Sequence, residues 1–498
     1  MSPGAGVSPE RSASPSSSSD SRLRHLFDPA GVIVVGVSSH PAKFGFVALH
    51  NLLASGFAGK VFAVNRDGGE ILGLATATDV ALLPSGKADL AVVCTPAAAN
   101  PGVLRACAAK GVKAAYVVSG GYRETGAEGR RAEEELVTLA DKLDIVLAGP
   151  NGQGLVSTPA GLCAQIVGPY PVAGAISVAS QSGNTTSSFM NYANHSGVGI
   201  ARAVSAGNAA AVTVADYLRW YRDDPATRVA FAYLEHTADG RATFEAMRSV
   251  TARLPVVLVK GGVSAVGQQA AASHTGALAG EQRIFTGAMH QAGVSLVATV
   301  EEAFDAAATF ATQPLPRGPN TVVVTTAGGW GVMTADALAA SSLRLMPLPD
   351  DLRAAIDAKL PPRWSRANPI DLAGGESRDT VPEVLELVAA HPAVDAVIFL
   401  GLGIQSNSAR LLREGPFYPD HGLERIVAFH ERQDRRFAEA AAAASAATGK
   451  PVLVATELGV TDPANPGPAA VRATGRYCYP SANRSVTAES YERMRRRL

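Results

Sequence analysis

The sequence predicts an α/β protein built from three doubly wound units in series. Short apolar runs alternate with helical patterns along nearly the whole chain, the rhythm of a parallel sheet covered by crossover helices. That rhythm restarts twice. At 498 residues the chain is well beyond the roughly 250–300 at which one core stops growing, so several cores are expected. Composition agrees: 47% hydrophobic and 18% charged residues, with 49 glycines and 31 prolines, describe a folded chain rich in tight strand-to-helix turns.

Residues 1–24, rich in Ser, Pro and Gly and lacking the apolar stretch of a secretory signal, read as a disordered tail. The first unit, 25–151, has strand runs at 32–35, 61–64, 90–94, 115–118 and 145–148, separated by helical patterns such as 46–55 and 133–143. The second, 152–313, has runs at 176–179, 201–204, 229–234, 256–259 and 295–298. A proline-rich link then opens the third, 314–485, with runs at 322–324, 343–346, 394–400, 426–429 and 452–455. Within it, the alanine-rich stretch 438–447 has the length and propensity of a crossover helix. Residues 486–498 read as a C-terminal helix whose terminal arginines complement its dipole.

Charge removes several function classes. Lys plus Arg and Asp plus Glu both number 44, so no overall basic field would hold the chain on nucleic acid or an anionic membrane. No run reaches the ~18 apolar residues of a membrane helix. Cys94, Cys107, Cys163 and Cys478 are scattered without CxxC spacing, which predicts neither a metal site nor a disulfide framework and favours the reducing cytoplasm.

The first candidate site lies at the strand ends of the first unit. The first strand run ends in Val35-Gly36-Val37-Ser38-Ser39, and Gly45 follows just before a helical pattern, so the backbone can approach a phosphate at a helix N-terminus. The strict GxGxxG spacing is absent. The second run ends in Asn65-Arg66, where a nicotinamide ribose calls for Asp or Glu. Lys43 and Arg66 suit a ligand with an additional phosphate, either coenzyme A or NADP. Thr95-Pro96 and Ser119-Gly120 end the third and fourth runs, where open parallel sheets bind ligands, and Asn151-Gly152 close the unit. Each of these is equally readable as turn chemistry.

The second candidate site centres on His274 in QQAAASHTGALAG, 268–280, read as a mobile loop of small residues. Neutral imidazole is a nucleophile near neutral pH and forms a phosphoramidate reactive enough to pass its phosphoryl group on. Ser182, Gly183 and Asn184, directly after a strand run, would open a helix whose N–H groups receive a phosphate. Glu235, at the end of another run, is the candidate to orient the imidazole; it also reads as an exposed charge, as does Asp239. His236 is a lesser rival as carrier, and His195 and His430 lack this setting. A serine hydrolase is disfavoured because no GxSxG elbow occurs.

Taken together, these motifs resemble the NDP-forming (ADP-forming) acyl-CoA synthetases, the acetate–CoA ligase group of the succinyl-CoA synthetase-like superfamily. The likeness runs from about 27 to 480: VGVSSHPAKFGFVALHNLLASGFAGKVFAVN, GPNGQG, SQSGN, VSAGNAA, DDPATRVAFAYLE, SHTGALAG, TTAGGWGV and NPIDL. The resemblance implies an N-terminal Rossmann-like CoA-binding domain followed by two flavodoxin-like domains. It implies His274 as phosphoryl carrier, with Glu235 as its orienting carboxylate. CoA contacts fall to Gly36, Ser38, Ser39, Lys43, Asn65 and Arg66, and to Thr95, Pro96, Ser119 and Gly120. Ser182, Gly183 and Asn184 become the phosphate seat, and Asn151 and Gly152 the substrate pocket.

Three departures stand out. The family usually continues GPN with Cys and Leu where this chain has Gly152 and Gln153, which predicts a larger and more polar pocket. His236 replaces a common Gly, and Trp330 interrupts the AGGPG turn. The resemblance also implies a nucleotide site for which no segment remains, hence a separate ATP-grasp β-type partner carrying ATP or ADP with Mg, in an α2β2-like assembly. The reaction expected is carboxylate plus CoA plus NTP to acyl-CoA, NDP and phosphate, on a small carboxylic acid. The alternatives are a CoA-sensing module without turnover and a nucleotide-independent acyl or carbamoyl transferase; an NADP oxidoreductase is disfavoured.

Overall fold

A computed structural model of the chain describes residues 19–275, 282–372 and 379–488. Of the predicted N-terminal tail, 1–18 lie outside the described residues, as do 489–498 of the predicted C-terminal helix.

The first unit holds β1 (Gly31–Val35), β2 (Lys60–Val64), β3 (Glu70–Ile71), β4 (Leu74–Ala77), β5 (Leu90–Val93), β6 (Ala114–Val117) and β7 (Val146–Ala148). They form one sheet in the order β3-β4-β2-β1-β5-β6-β7. β1 sits between β2 and β5, parallel to both. Its sequence GVIVV is buried at every position, as a central parallel strand covered on both faces requires.

The second sheet joins β8 (Gly154–Ser157), β9 (Leu162–Gln165), β10 (Ala173–Ser180), β11 (Ile200–Ser205), β12 (Val229–Leu234), β13 (Val256–Lys260) and β14 (Ser295–Val297). Its order is β14-β13-β12-β10-β11-β8-β9. β8 and β9 are an antiparallel pair that the sequence reading missed, because two four-residue runs interrupted by a proline turn carry almost no periodicity.

The third sheet contains β15 (Asn320–Thr325), β16 (Arg344–Leu345), β17 (Ile370–Asp371), β18 (Ala396–Leu400), β19 (Val452–Ala455) and β20 (Cys478–Tyr479), ordered β16-β15-β18-β19-β20 with β17 beside β15. The strand expected at 426–429 is absent; those residues lie in the helix Leu423–Thr448. Four apolar residues fit either period, and the helix continues through the alanine run to a left-handed Gly449 cap. A second correction concerns the expected loop at 268–280: Ala265–Thr275 is helical, in keeping with the propensity of its alanines.

The units share cores. One apolar cluster runs from Leu26 and Phe27 through Tyr116 to Tyr217 and Met247, joining the first two sheets. Another joins the second and third, with Trp330 packed against it. Arg202 on β11 is the polar counterpart. Its guanidinium donates to both Asp224 carboxylate oxygens at 3.1 and 3.2 Å, to Asp28 at 2.6 Å and to the Phe27 carbonyl at 3.3 Å, and it bonds Ser157. It also lies over the Trp220 ring. Asp224 is almost fully buried, so deleting the cation would leave a buried anion with only the Thr227 hydroxyl and the Ala226 amide to satisfy it.

Arg202→Met should therefore destabilise the chain by about 3–5 kcal/mol in urea unfolding. The double substitution with Asp224→Asn should recover part of that loss. A loss below about 1 kcal/mol for the single variant would show the pair to be dispensable.

Candidate functional site

The carboxyl ends of β1, β2 and β5 open into a cleft of about 720 Å³. Gly36 leaves β1 with a left-handed backbone (φ +85°), and a Cβ at Gly45 would lie 2.1 Å from the Gly36 carbonyl. Only glycine lets the helix Phe44–Ala54 start that close to the strand end. Lys43 is its N-cap residue. Asn65 bridges the loops by donating to the Val37 carbonyl at 2.7 Å and accepting from the Asp67 amide at 2.7 Å. Gly36, Ser38, Lys43, Asn65, Arg66, Thr95 and Pro96 all line this cleft.

Other predicted contacts fall elsewhere. Ser39 is exposed beside the cleft. Ser119 joins a buried network instead: Asn100 accepts from the hydroxyls of Ser119 (3.0 Å) and Tyr122 (2.7 Å) and donates to Thr95 (2.8 Å). Gly120 lines a second cleft.

That second cleft, about 320 Å³, lies where the first and second sheets meet, and it gathers Gly120, Asn151, Gly152, Ser182, Gly183, Asn184 and Glu235. Phe44 lines both clefts. The helix Gly183–Ser196 points its N-terminus into this space. Ser182 is its N-cap, with Oγ accepting from the Thr185 amide at 3.3 Å. Ser180, fully buried, holds the Ser182 peptide by donating to its carbonyl (2.7 Å) and accepting from its amide (3.1 Å). The amides of Gly183 and Asn184 come too early in the helix for intrahelical partners, so this end favours an anion.

Across the cleft, Asn151 has a left-handed backbone, φ 60°, a conformation asparagine tolerates better than most residues. Its Nδ2 donates to Asn208 Oδ1 at 3.2 Å, and Asn208 donates at 2.7 Å to both Glu124 and Glu133. Burial alone would push the Glu124 carboxyl up, but hydrogen bonds from Asn208 and from the amides of Tyr122 and Gly121 hold it below its usual range. Glu133, 2% exposed, pairs with Arg123.

Glu235 is buried at the end of β12, accepting from the Tyr233 hydroxyl at 3.3 Å. Gln181 clamps the backbone there: its Oε1 accepts from the Glu235 amide (2.6 Å) and the His236 amide (3.2 Å), and its Nε2 donates to the His236 carbonyl (3.1 Å). The His236 imidazole is held below the ordinary histidine range by burial and then by the charge of Arg123. Asp239 is the N-cap of the helix Gly240–Thr251, accepting from the Ala242 amide at 2.9 Å.

The sequence reading missed Arg123, Gln181 and Asn208. Gln181 lies in SQSGN and Asn208 in VSAGNAA, while Arg123 lies in neither motif; all three act through partners distant in sequence or in another unit, as Asn208 does on Glu124 and Glu133. His274 lies near the end of the helix Ala265–Thr275, which packs against the turn Arg123–Thr125. The side chain of His274 and residues 276–280 of its motif lie outside the described residues.

Gly152 does not enlarge the pocket as expected. A Cβ there would lie 2.1 Å from Tyr116 Oη and 2.5 Å from the Ser205 carbonyl. The space is taken by the Tyr116 hydroxyl, which donates to the Ser205 carbonyl and accepts from the Gly154 amide at 2.8 Å. Gln153 does polarise the cleft: its Nε2 donates to Asn184 Oδ1 at 3.1 Å, and its carboxamide packs over Gly183.

A Rossmann-like unit with a large strand-end cleft, followed by two flavodoxin-like units of which the first aims a helix N-terminus at the junction, is the architecture of a CoA-ligase-type protein. Family models agree: a CoA binding domain matches residues 31–158, a succinyl-CoA ligase like flavodoxin domain 173–310, and a ligase-CoA domain 321–404. The alpha subunit of acetate–CoA ligase [ADP-forming] I from Pyrococcus furiosus is 37% identical over 76% of this chain and 82% of its own length. The 4-hydroxybutyrate–CoA ligase [ADP-forming] of Nitrosopumilus maritimus is 30% identical over 75% of this chain and 54% of its own. Among solved structures, the dinucleotide forming acetyl-coenzyme A synthetase 1 of Ca. Korarchaeum cryptofilum, in complex with phosphate and ADP, superposes with a TM-score of 0.79. It is 31% identical and is covered over 97% of its length by 95% of this chain. The chain belongs to the ADP-forming acetate–CoA ligase family and resembles its alpha subunits. Among the described residues no helix is long and apolar enough to cross a membrane.

Gly152→Ala should cost about 1–3 kcal/mol in denaturant unfolding, because the new methyl group must displace the Tyr116 hydroxyl. Combined with Tyr116→Phe, the loss should be smaller than the sum of the two single variants. Strict additivity would mean that the two groups do not compete for one space.

Proposed function

We propose that this chain is the CoA-binding, phosphohistidine-bearing subunit of an ADP-forming acyl-CoA synthetase. The observation that carries the proposal is the convergence of the Ser182 helix end, Glu235 and Asn151 in one cleft that shares Phe44 with the strand-end cleft of the first unit. CoA would lie in the larger cleft, its phosphates near Lys43, Arg66 and the start of the Phe44–Ala54 helix. Its thiol end would pass Phe44 towards Asn151 and Gly120. The four cysteines are unpaired, which favours a reducing cytoplasm.

In this reading His274, on the helix that packs against the Arg123 turn, takes a phosphoryl group from ATP on an ATP-grasp partner that also carries Mg. The Ser182 helix end receives the phosphohistidine dianion, and Glu235 accepts a hydrogen bond from one ring nitrogen while the other bears the phosphoryl group. A carboxylate oxygen of the small acid attacks that phosphorus, the N–P bond breaks, and an acyl phosphate forms. The CoA thiolate then adds to the acyl carbon and inorganic phosphate leaves. Two moderate steps replace one attack on an unactivated carboxylate. An α2β2-like assembly would pair each such chain with its partner.

With partner and γ-labelled ATP, the wild-type chain should become labelled and His274→Ala should not. Ser182→Ala should retain labelling but slow it by roughly tenfold or more, through loss of the cap and of an ordered anion seat. Full labelling of His274→Ala would overturn the assignment of the carrier.

A further inference from the structure

The cleft at the Ser182 helix end adjoins a chamber of similar size, about 320 Å³, whose apolar wall is made of alanines with Val214 and Leu234 and whose outer rim carries Asp216, Arg219 and Asp239. The two spaces have three residues in common, Arg123, Gln181 and His236. These form the wall between them.

Two parts of that wall are tied to the protein by their own side chains. Arg123 is paired with the buried Glu133, and both ends of the Gln181 carboxamide bond to the backbone of 235–236. The His236 ring differs. Its backbone is clamped on both sides by Gln181, yet its Nδ1 is buried without a hydrogen-bond partner. A partition that contributes bulk at a fixed place, with no hydrogen bond at Nδ1, acts by size.

We infer that His236 sets the size of the acid this chain accepts: its ring closes the alanine-walled chamber off from the cleft, restricting the substrate to short aliphatic carboxylic acids. This rests on the function proposed above. Removing the ring would join the two spaces and admit an acid with an aryl or longer alkyl tail.

The charged groups facing the ring are Arg123, Glu235 and Lys260, and burial together with Arg123 favours the neutral form. An uncharged ring without a hydrogen bond at Nδ1 can be replaced by phenylalanine at similar volume. That separates bulk from chemistry.

The test uses the chain reconstituted with its ATP-grasp partner, comparing kcat/KM for acetate and phenylacetate. The wild type should prefer acetate. In His236→Gly the ratio of phenylacetate to acetate should rise by roughly tenfold to a hundredfold, the range that steric discrimination in a pocket supplies. His236→Phe should keep the wild-type ratio, and adding Ala242→Leu to His236→Gly should abolish the gain by refilling the chamber. Equal use of both acids by the wild type, or an unchanged ratio in His236→Gly, overturns the inference while leaving the ligase reading intact. If His236→Phe behaves like His236→Gly, the ring acts through its nitrogen atoms and the size gate is likewise overturned. If neither acid reacts and His274 takes up no label, the ligase reading fails and the inference fails with it.

Discussion

The first two sheets are held together by a seam of buried polar groups beside their shared apolar cluster, and the meeting of the two clefts depends on that seam. The Tyr116 hydroxyl, from the first sheet, bonds Ser205 and Gly154 of the second. Asn208 reaches back to Glu124 and Glu133 while also holding Asn151. Arg202 ties Asp224 to Asp28 at the far side. Tyr116 and Asn208 find these partners only when the two sheets meet in one register, and Arg202 then gains Asp28 beside Asp224, so the seam specifies a relative orientation that apolar packing by itself leaves loose. A half-satisfied seam would be worse than none.

That orientation brings together chemistry which neither unit holds alone. The strand-end cleft of the first unit suits a phosphate-bearing ligand, and the helix end of the second suits a free or bound phosphoryl group. With the sheets locked, the two spaces lie on either side of Phe44. A thiol delivered from one and an acyl phosphate held in the other would then meet without large domain motion. In the proposed reaction, the step left to motion would be the travel of a phosphohistidine between this chain and a partner.

Much of this was legible in the sequence because it was local. Ser182 as N-cap followed from a polar residue between a strand run and a helical pattern, and Gly36 and Gly45 followed from the close approach of a loop to a helix start. Residues whose meaning lies in contacts between units were not legible. Asn208 is one letter of VSAGNAA, with no role of its own, until Glu124 and Glu133 are placed beside it. Gly152 reads as added space until Tyr116 is seen to fill it. The misassigned strand at 426–429 and the loop assigned across 268–275 have a common cause: short apolar or small-residue runs do not fix their own period, and neighbouring alanines extended both into helices.

The central claim is that the Ser182 helix end and the CoA cleft serve one reaction centre. A crystal structure of the chain grown with CoA and inorganic phosphate tests it most directly. The account predicts phosphate on the amides of Gly183 and Asn184, with the CoA sulfur entering the same cleft past Phe44 towards Asn151. Phosphate bound elsewhere, or a CoA chain directed away from that helix end, would contradict it.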